Sequence, residues 1–154
     1  MRVLFVCLGN ICRSPTAEAV FRQRLQQAGL AERITVDSAG TGGWHVGKAP
    51  DPRTQEAAQR RGYDLSALRG RQVEVADFAR FDLLLAMDKA NLQHLQRMRP
   101  AQAHGELDLY LRRFQLALDE VPDPYYGGAE GFEQVLDLLE QASDALLNEL
   151  RGRL

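Results

Sequence analysis

Cysteine is scarce in this chain: Cys7 and Cys12 are the only two, and none follows them. That excludes a disulfide-stapled scaffold and any chemistry that passes a disulfide along a row of thiols, and it suits the reducing cytoplasm. Histidine is equally thin, with His45, His94 and His104 scattered rather than grouped at ligand spacing. No metal site and no cofactor are therefore expected. Neither sign of charge dominates: 19 basic residues stand against 21 acidic ones, a net charge of -2. Such a balance gives no basis for a nucleic-acid or membrane-surface partner. No apolar run is long enough to span a bilayer, and a leader peptide is not expected because Met1 is followed directly by a strand-like run. Repeats, linkers and low-complexity stretches are missing too, so the 154 residues read as one domain, 1–154.

What the chain does have is concentrated near its start. Val3-Leu4-Phe5-Val6 is a continuous apolar run, the pattern of a strand buried on both faces of a parallel sheet. Cys7 then falls at the carboxyl end of that strand, where open α/β sheets bind ligands. Ser14 is a good helix N-cap and Pro15 a good first helical residue, with Ala17, Val20, Phe21, Leu25 and Ala28 continuing at helical spacing up to Gly29. Between strand and helix lies Cys7-Leu8-Gly9-Asn10-Ile11-Cys12-Arg13. Gly9 gives the loop backbone freedom, and Asn10 tolerates a left-handed conformation better than most residues. Loop amides and a helix N-terminus converge naturally on an anion, and Arg13 can fork two hydrogen bonds onto phosphate oxygens. The same field favours the thiolate of Cys7, which is the reactive form of the side chain. A loop of this kind can hold a phosphate oxyanion against a sulfur nucleophile, and the chain reads as a cysteine-dependent phosphatase.

Strand and helix patterns alternate along the rest of the sequence. Strands are predicted at Ile34–Val36, Phe81–Ala86 and Glu106–Tyr110, and helices at Arg53–Arg61 and Lys89–Arg97. A long amphipathic helix follows from Phe132 to Leu150. Alternation of this kind predicts an α/β fold with a parallel sheet and helices on both faces. The longest predicted loop, Arg112 to Pro122, leads into Asp123.

The motif Cys7-Leu8-Gly9-Asn10-Ile11-Cys12-Arg13-Ser14-Pro15 after an N-terminal strand resembles the low-molecular-weight protein tyrosine phosphatases. The resemblance continues through Asp37-Ser38-Ala39-Gly40-Thr41, through Ala86-Met87-Asp88 with Asn91-Leu92, and through Asp123-Pro124-Tyr125-Tyr126-Gly127. It implies a three-layer flavodoxin-like fold around a four-stranded parallel sheet. It also implies metal-independent hydrolysis of phosphotyrosine and aryl phosphates. Cys7 would form a phosphocysteine, Arg13 and the loop residues Leu8, Gly9, Asn10, Ile11, Cys12 and Ser14 would bind the phosphoryl group, and Ser38 would support the loop. The implied partners are a phosphotyrosine protein or a small aryl phosphate, with inorganic phosphate as product. Charge alone leaves Asp88, Asp119, Glu120 and Asp123 open as the general acid; the resemblance selects Asp123. Trp44, Tyr125 and Tyr126 would wall the pocket mouth, where a flat phenyl ring can stack, whereas His45 reads as a solvated loop residue.

Two features set the chain apart from parts of that family. Many members carry a histidine three residues before the pair that here is Arg71-Gln72, and this chain has Leu68 there, so its phosphate loop is braced otherwise or is softer. Ile11 is branched and apolar where arginine-dephosphorylating relatives place a small threonine, which favours phosphotyrosine. A Cys7–Cys12 disulfide would shield the nucleophile from irreversible oxidation. The alternative readings are a protein arginine phosphatase, an arsenate reductase-like enzyme of the same fold, and a non-catalytic phosphate-binding module. The second needs downstream cysteines that the chain lacks.

Overall fold

The computed structural model describes residues 1–125 and 127–154. Four strands, β1 (Arg2–Cys7), β2 (Thr35–Gly40), β3 (Leu83–Ala86) and β4 (Glu106–Leu109), form a parallel sheet in the order β2-β1-β3-β4. Helices α1 (Arg13–Gln27), α2 (Pro52–Gln59), α3 (Asp77–Arg80), α4 (Lys89–Met98), α5 (Tyr110–Arg113) and α6 (Ala129–Arg151) connect and flank them. This is the expected three-layer α/β architecture.

Strand alternation sorts β1 between the layers. Val3, Phe5 and Cys7 join α1 and α6 in one core, where the Phe5 ring meets Phe21 edge to face and Tyr110 at a tilt, at centroid distances of 6.0 and 5.1 Å. Leu4 and Val6 face the other way, against Phe78 and Phe81 around α3 and Leu92 and Leu95 of α4. Both faces of the strand are closed, and for that reason the run could be apolar throughout. A smaller cluster joins Cys12 and Val20 to Ala57 and Ala58 of α2 and to Phe132 and Leu136 of α6.

The first helix departs from the expected cap. It begins at Arg13, so Pro15 is its third residue, and Cys12 occupies the cap position with no side-chain hydrogen bond. Ser14 does not cap because its hydroxyl is engaged elsewhere, by Cys7 and Asn10. By contrast α2 is capped as chemistry dictates: Asp51 accepts from Arg53 N at 2.8 Å, and Pro52 is the first helical residue. Strand β2 runs on to Gly40, beyond the predicted Val36, and carries Asp37 and Ser38 into the sheet. Strand β3 begins at Leu83 rather than Phe81, and α5 takes the start of the predicted loop after β4. No helix among the described residues is long and apolar enough to cross a membrane.

Candidate active site

Strand β1 lies between β2 and β3, so the chain leaves it to one side first and returns on the other. Its carboxyl end is thus the topological switch point of the sheet, the place where such folds open a crevice. Cys7 ends the strand there. The loop 8–12 is strapped down from behind: Thr41 N donates to Cys7 O at 2.8 Å, Gly42 N to Leu8 O at 2.9 Å and Asp51 N to Ile11 O at 2.8 Å. Gly40 passes so close that a Cβ on it would stand 2.7 Å from Leu8 O and 3.1 Å from Asn10 N. Asn10 takes a left-handed backbone, with φ of 58°, as its residue type allows.

Asn10 is also the hub of the loop's polar support. Its Oδ1 accepts from Arg71 N at 2.9 Å, while its Nδ2 donates to Ser14 Oγ at 2.8 Å and to Ser38 Oγ at 3.1 Å. The brace at Arg71 is therefore a backbone amide, and Leu68 packs as an apolar residue with Ile11 against the Cys12 cluster. Cys7 is buried; its Sγ lies 3.0 Å from Ser14 Oγ and receives Asn10 N at 3.3 Å. Both cysteines are free thiols. Burial pushes the Cys12 thiol up to about 12, with Asp51, Cys7 and Asp123 adding to the effect against a Thr54 hydrogen bond.

Arg13 is 3 % exposed, and its guanidinium is fixed from several sides. Nη1 donates to Asp88 Oδ2 at 2.7 Å and to Val121 O at 3.0 Å, and Nη2 lies 3.7 Å from Asp123 Oδ2. Burial opposes its charge, but the Cys7 sulfur, Asp88 and Asp123 outweigh that and hold it protonated above the ordinary arginine range. Asp88 serves two ends at once, since its Oδ1 caps α4 by accepting Asn91 N at 2.7 Å. Glu120 is occupied at the same helix start, where it accepts Lys89 N at 2.8 Å.

These residues open onto a cleft of about 370 Å³ lined by Cys7, Ile11, Arg13, Trp44, Asp123 and Tyr125, among others. Of the four carboxylates left open by charge, Asp123 is the one that lines it. Its loop is tied to the sheet by Val121 N on Met87 O at 2.8 Å and to α2 by Arg53 Nη2 on Tyr125 O at 2.9 Å. Trp44 is 67 % exposed at the rim, with its ring laid over Gly42 so closely that a Cβ there would fall 1.8 Å from the indole. Tyr125 stands at the same rim; Tyr126 lies outside the described residues. His45, a half-buried turn residue, also lines the cleft, with its ring 3.0 Å from where a Gly9 Cβ would sit.

Sequence reasoning missed Glu18, Arg53 and the Arg13–Asp88 pair. Ser14, Glu18 and Arg22 recur at every fourth position of one helix, a spacing that places them on one face. That stripe of polar residues was the available signal for Glu18; nothing local marked the pairing of residues 13 and 88.

Residues 2–153 match the family model for low molecular weight phosphotyrosine protein phosphatase. A low molecular weight protein-tyrosine-phosphatase of Streptomyces coelicolor is 47 % identical over 154 residues, covering 97 % of this chain and 93 % of that one. Among solved structures, the protein tyrosine phosphatase of Entamoeba histolytica with Hepes in its active site superposes with a TM-score of 0.94 at 42 % identity, covering 100 % of this chain and 99 % of the other. The arginine phosphatase of Drosophila superposes with a TM-score of 0.91 at 31 % identity, covering 97 % and 98 % of the two chains. The chain belongs to the low molecular weight phosphotyrosine protein phosphatase family.

Proposed function

We propose that the chain, acting as one domain, hydrolyses phosphotyrosine in proteins and small aryl phosphates by two displacements at phosphorus. The observation that carries this is the convergence of a buried thiol, a buried guanidinium and the Asp123 carboxyl on one cleft. In the first step the Cys7 sulfur forms the S–P bond as the P–O bond to the aryl group breaks, and Asp123 gives its proton to the departing phenolate. In the second step Asp123 takes a proton from water as the water oxygen attacks phosphorus. The S–P bond breaks, inorganic phosphate leaves and the thiolate is restored. Arg13 and the loop from Leu8 to Cys12 hold the phosphoryl oxygens, and Ser14 donates to the sulfur when it leaves. Preorganised donors of this kind supply much of the transition-state stabilisation in such sites.

The rim favours an aryl ester. Ile11, Trp44 and Tyr125 present apolar walls to a flat ring, with the branched Ile11 packed against the Cys12 cluster behind it. Phosphotyrosine peptides are therefore the preferred substrates over phosphoarginine peptides. Two free thiols in and beside the loop suit work in the reducing cytoplasm.

Rapid quenching during turnover, followed by digestion and mass spectrometry, tests the covalent step: the phosphoryl group is expected on the peptide that carries Cys7. Turnover with phosphate trapped on another residue would refute it. Gly40→Ala tests the loop geometry. The added methyl group must displace Leu8 or Asn10, and a shift approaching 1 Å at the site is expected to lower kcat/KM by about 10²-fold. A Gly40→Ala enzyme with wild-type kcat/KM would show that the close approach does not matter.

A further inference from the structure

A buried carboxylate outside the cleft sits at the far end of the hydrogen-bond network that holds the nucleophile. Glu18, on α1, is 3 % exposed. It accepts from Ser38 Oγ at 2.8 Å and pairs with Arg22, whose guanidinium also reaches Val36 O at 3.2 Å. We propose that Glu18 is a positioning residue for the reaction: it fixes, through Ser38, Asn10 and Ser14, the direction of the hydrogen bonds that end on the Cys7 sulfur. The inference rests on the reading of Cys7 as nucleophile.

The donor and acceptor inventory carries the argument. A serine hydroxyl has one hydrogen, and the ionised Glu18 can only accept, so the hydrogen of Ser38 is committed to it. Towards Asn10, Ser38 can then only accept. The amide of Asn10 is oriented from two sides: Arg71 N donates to its Oδ1 at 2.9 Å, and a Ser38 oxygen that can only accept requires its Nδ2 to face that way. Its two Nδ2 hydrogens are thereby aimed at Ser38 Oγ and Ser14 Oγ, 3.1 and 2.8 Å away. Ser14, having accepted from Asn10, keeps its own hydrogen for Cys7 Sγ at 3.0 Å; the other acceptor in reach, Ala39 O, is at 3.4 Å. Each link polarises the next, and the row ends with a donor on the sulfur. An amide or a protonated acid at position 18 can donate to Ser38, whose own hydrogen is then free to turn towards Asn10 Nδ2, and the direction of the row is enforced only from the Arg71 side.

The charged neighbours of Glu18 are Arg22 on the same helix and Asp37 on β2, and Arg71 in turn binds Asp37 at 3.1 Å. Burial pushes the Glu18 carboxyl up, against Ser38 and Arg22, which hold it down. Around Cys7 the ionisable groups are Arg13, Cys12, His45 and Asp123. None of these is altered in the variants below.

The test is the pH profile of iodoacetamide alkylation of Cys7, read as initial rate on the Cys7 peptide, for wild type, Glu18→Gln and Ser38→Ala. The kcat and KM for p-nitrophenyl phosphate are measured alongside. Loss of an enforced hydrogen bond to a charged group is expected to lower alkylation at mildly acidic pH about tenfold. The plateau at high pH should be unchanged, and the acid limb of kcat/KM should move in the same direction. A folded Glu18→Gln protein whose profile superposes on wild type, or falls uniformly at every pH, overturns the proposal. If Glu18→Gln does not fold, Ser38→Ala decides, because it removes the next link; an unmoved profile in folded Ser38→Ala overturns it equally. Alkylation does not require turnover. A shifted profile in a protein inactive towards phosphate esters would therefore sink the phosphatase reading and leave the positioning of the Cys7 sulfur intact.

Discussion

Cys7→Ser is expected to abolish phosphate-ester turnover, by about 10⁴-fold or more, while leaving the oxyanion site able to bind inorganic phosphate. Sulfur is the atom toward which Ser14 Oγ and Asn10 N are aimed, at 3.0 and 3.3 Å. A serine oxygen is smaller and holds its proton far more tightly. The loop amides and Arg13 do not suffice to generate an alkoxide at neutral pH. The rest of the site does not depend on the thiol: Arg13 stays fixed by Asp88 and Val121, and the loop stays strapped by the amides of Thr41, Gly42 and Asp51. Loss of kcat with phosphate binding retained, measured by steady-state assay and calorimetric titration, separates lost chemistry from lost structure. A Cys7→Ser protein within tenfold of wild-type kcat would remove Cys7 from the mechanism.

Asp123→Asn is the second large effect, about 10²–10⁴-fold on kcat for phosphotyrosine, the usual range for a general acid. The substitution is conservative in shape. Asp123 Oδ1 accepts Tyr125 N at 3.0 Å, and an asparagine oxygen can keep that bond and with it the turn. What is lost is the proton for the leaving phenolate and the negative charge 3.7 Å from Arg13 Nη2. The signature is dependence on the leaving group. Esters of acidic phenols, which depart without help, should suffer least and phosphotyrosine most. A series of substituted phenyl phosphates checks this: a steeper dependence of kcat on phenol acidity in the variant is expected, and parallel lines for the two enzymes would reassign the acid.

Strand β1 was legible because its burial on both faces leaves a continuous apolar signature, and α4 and α6 because their apolar faces repeat at helical spacing. The short helices Asp77–Arg80 and Tyr110–Arg113 were not, since four residues make a single turn and carry no period. The expected cap at Ser14, which is not made, and the expected end of β2 at Val36, which the strand passes, have a common cause. Ser14 and Ser38 break the local rules of capping and strand patterning because their hydroxyls are committed to the Asn10 network. Polar residues that look wrong for their element are where function overrides local preference. The loop from Cys7 to Arg13 is contiguous in sequence and could be read directly. Its supports are not: Asp88, Val121 and Arg71 reach it from distant segments, and only the folded topology pairs them.

The measurement that bears most directly on the whole account is hydrolysis of p-nitrophenyl phosphate and a phosphotyrosine peptide by the reduced wild-type protein at mildly acidic pH, with excess EDTA present. Full turnover of both in the chelator, inhibited competitively by inorganic phosphate, is the predicted result. Well-folded, reduced protein that leaves both substrates intact, or that works only when a metal is restored, would contradict it.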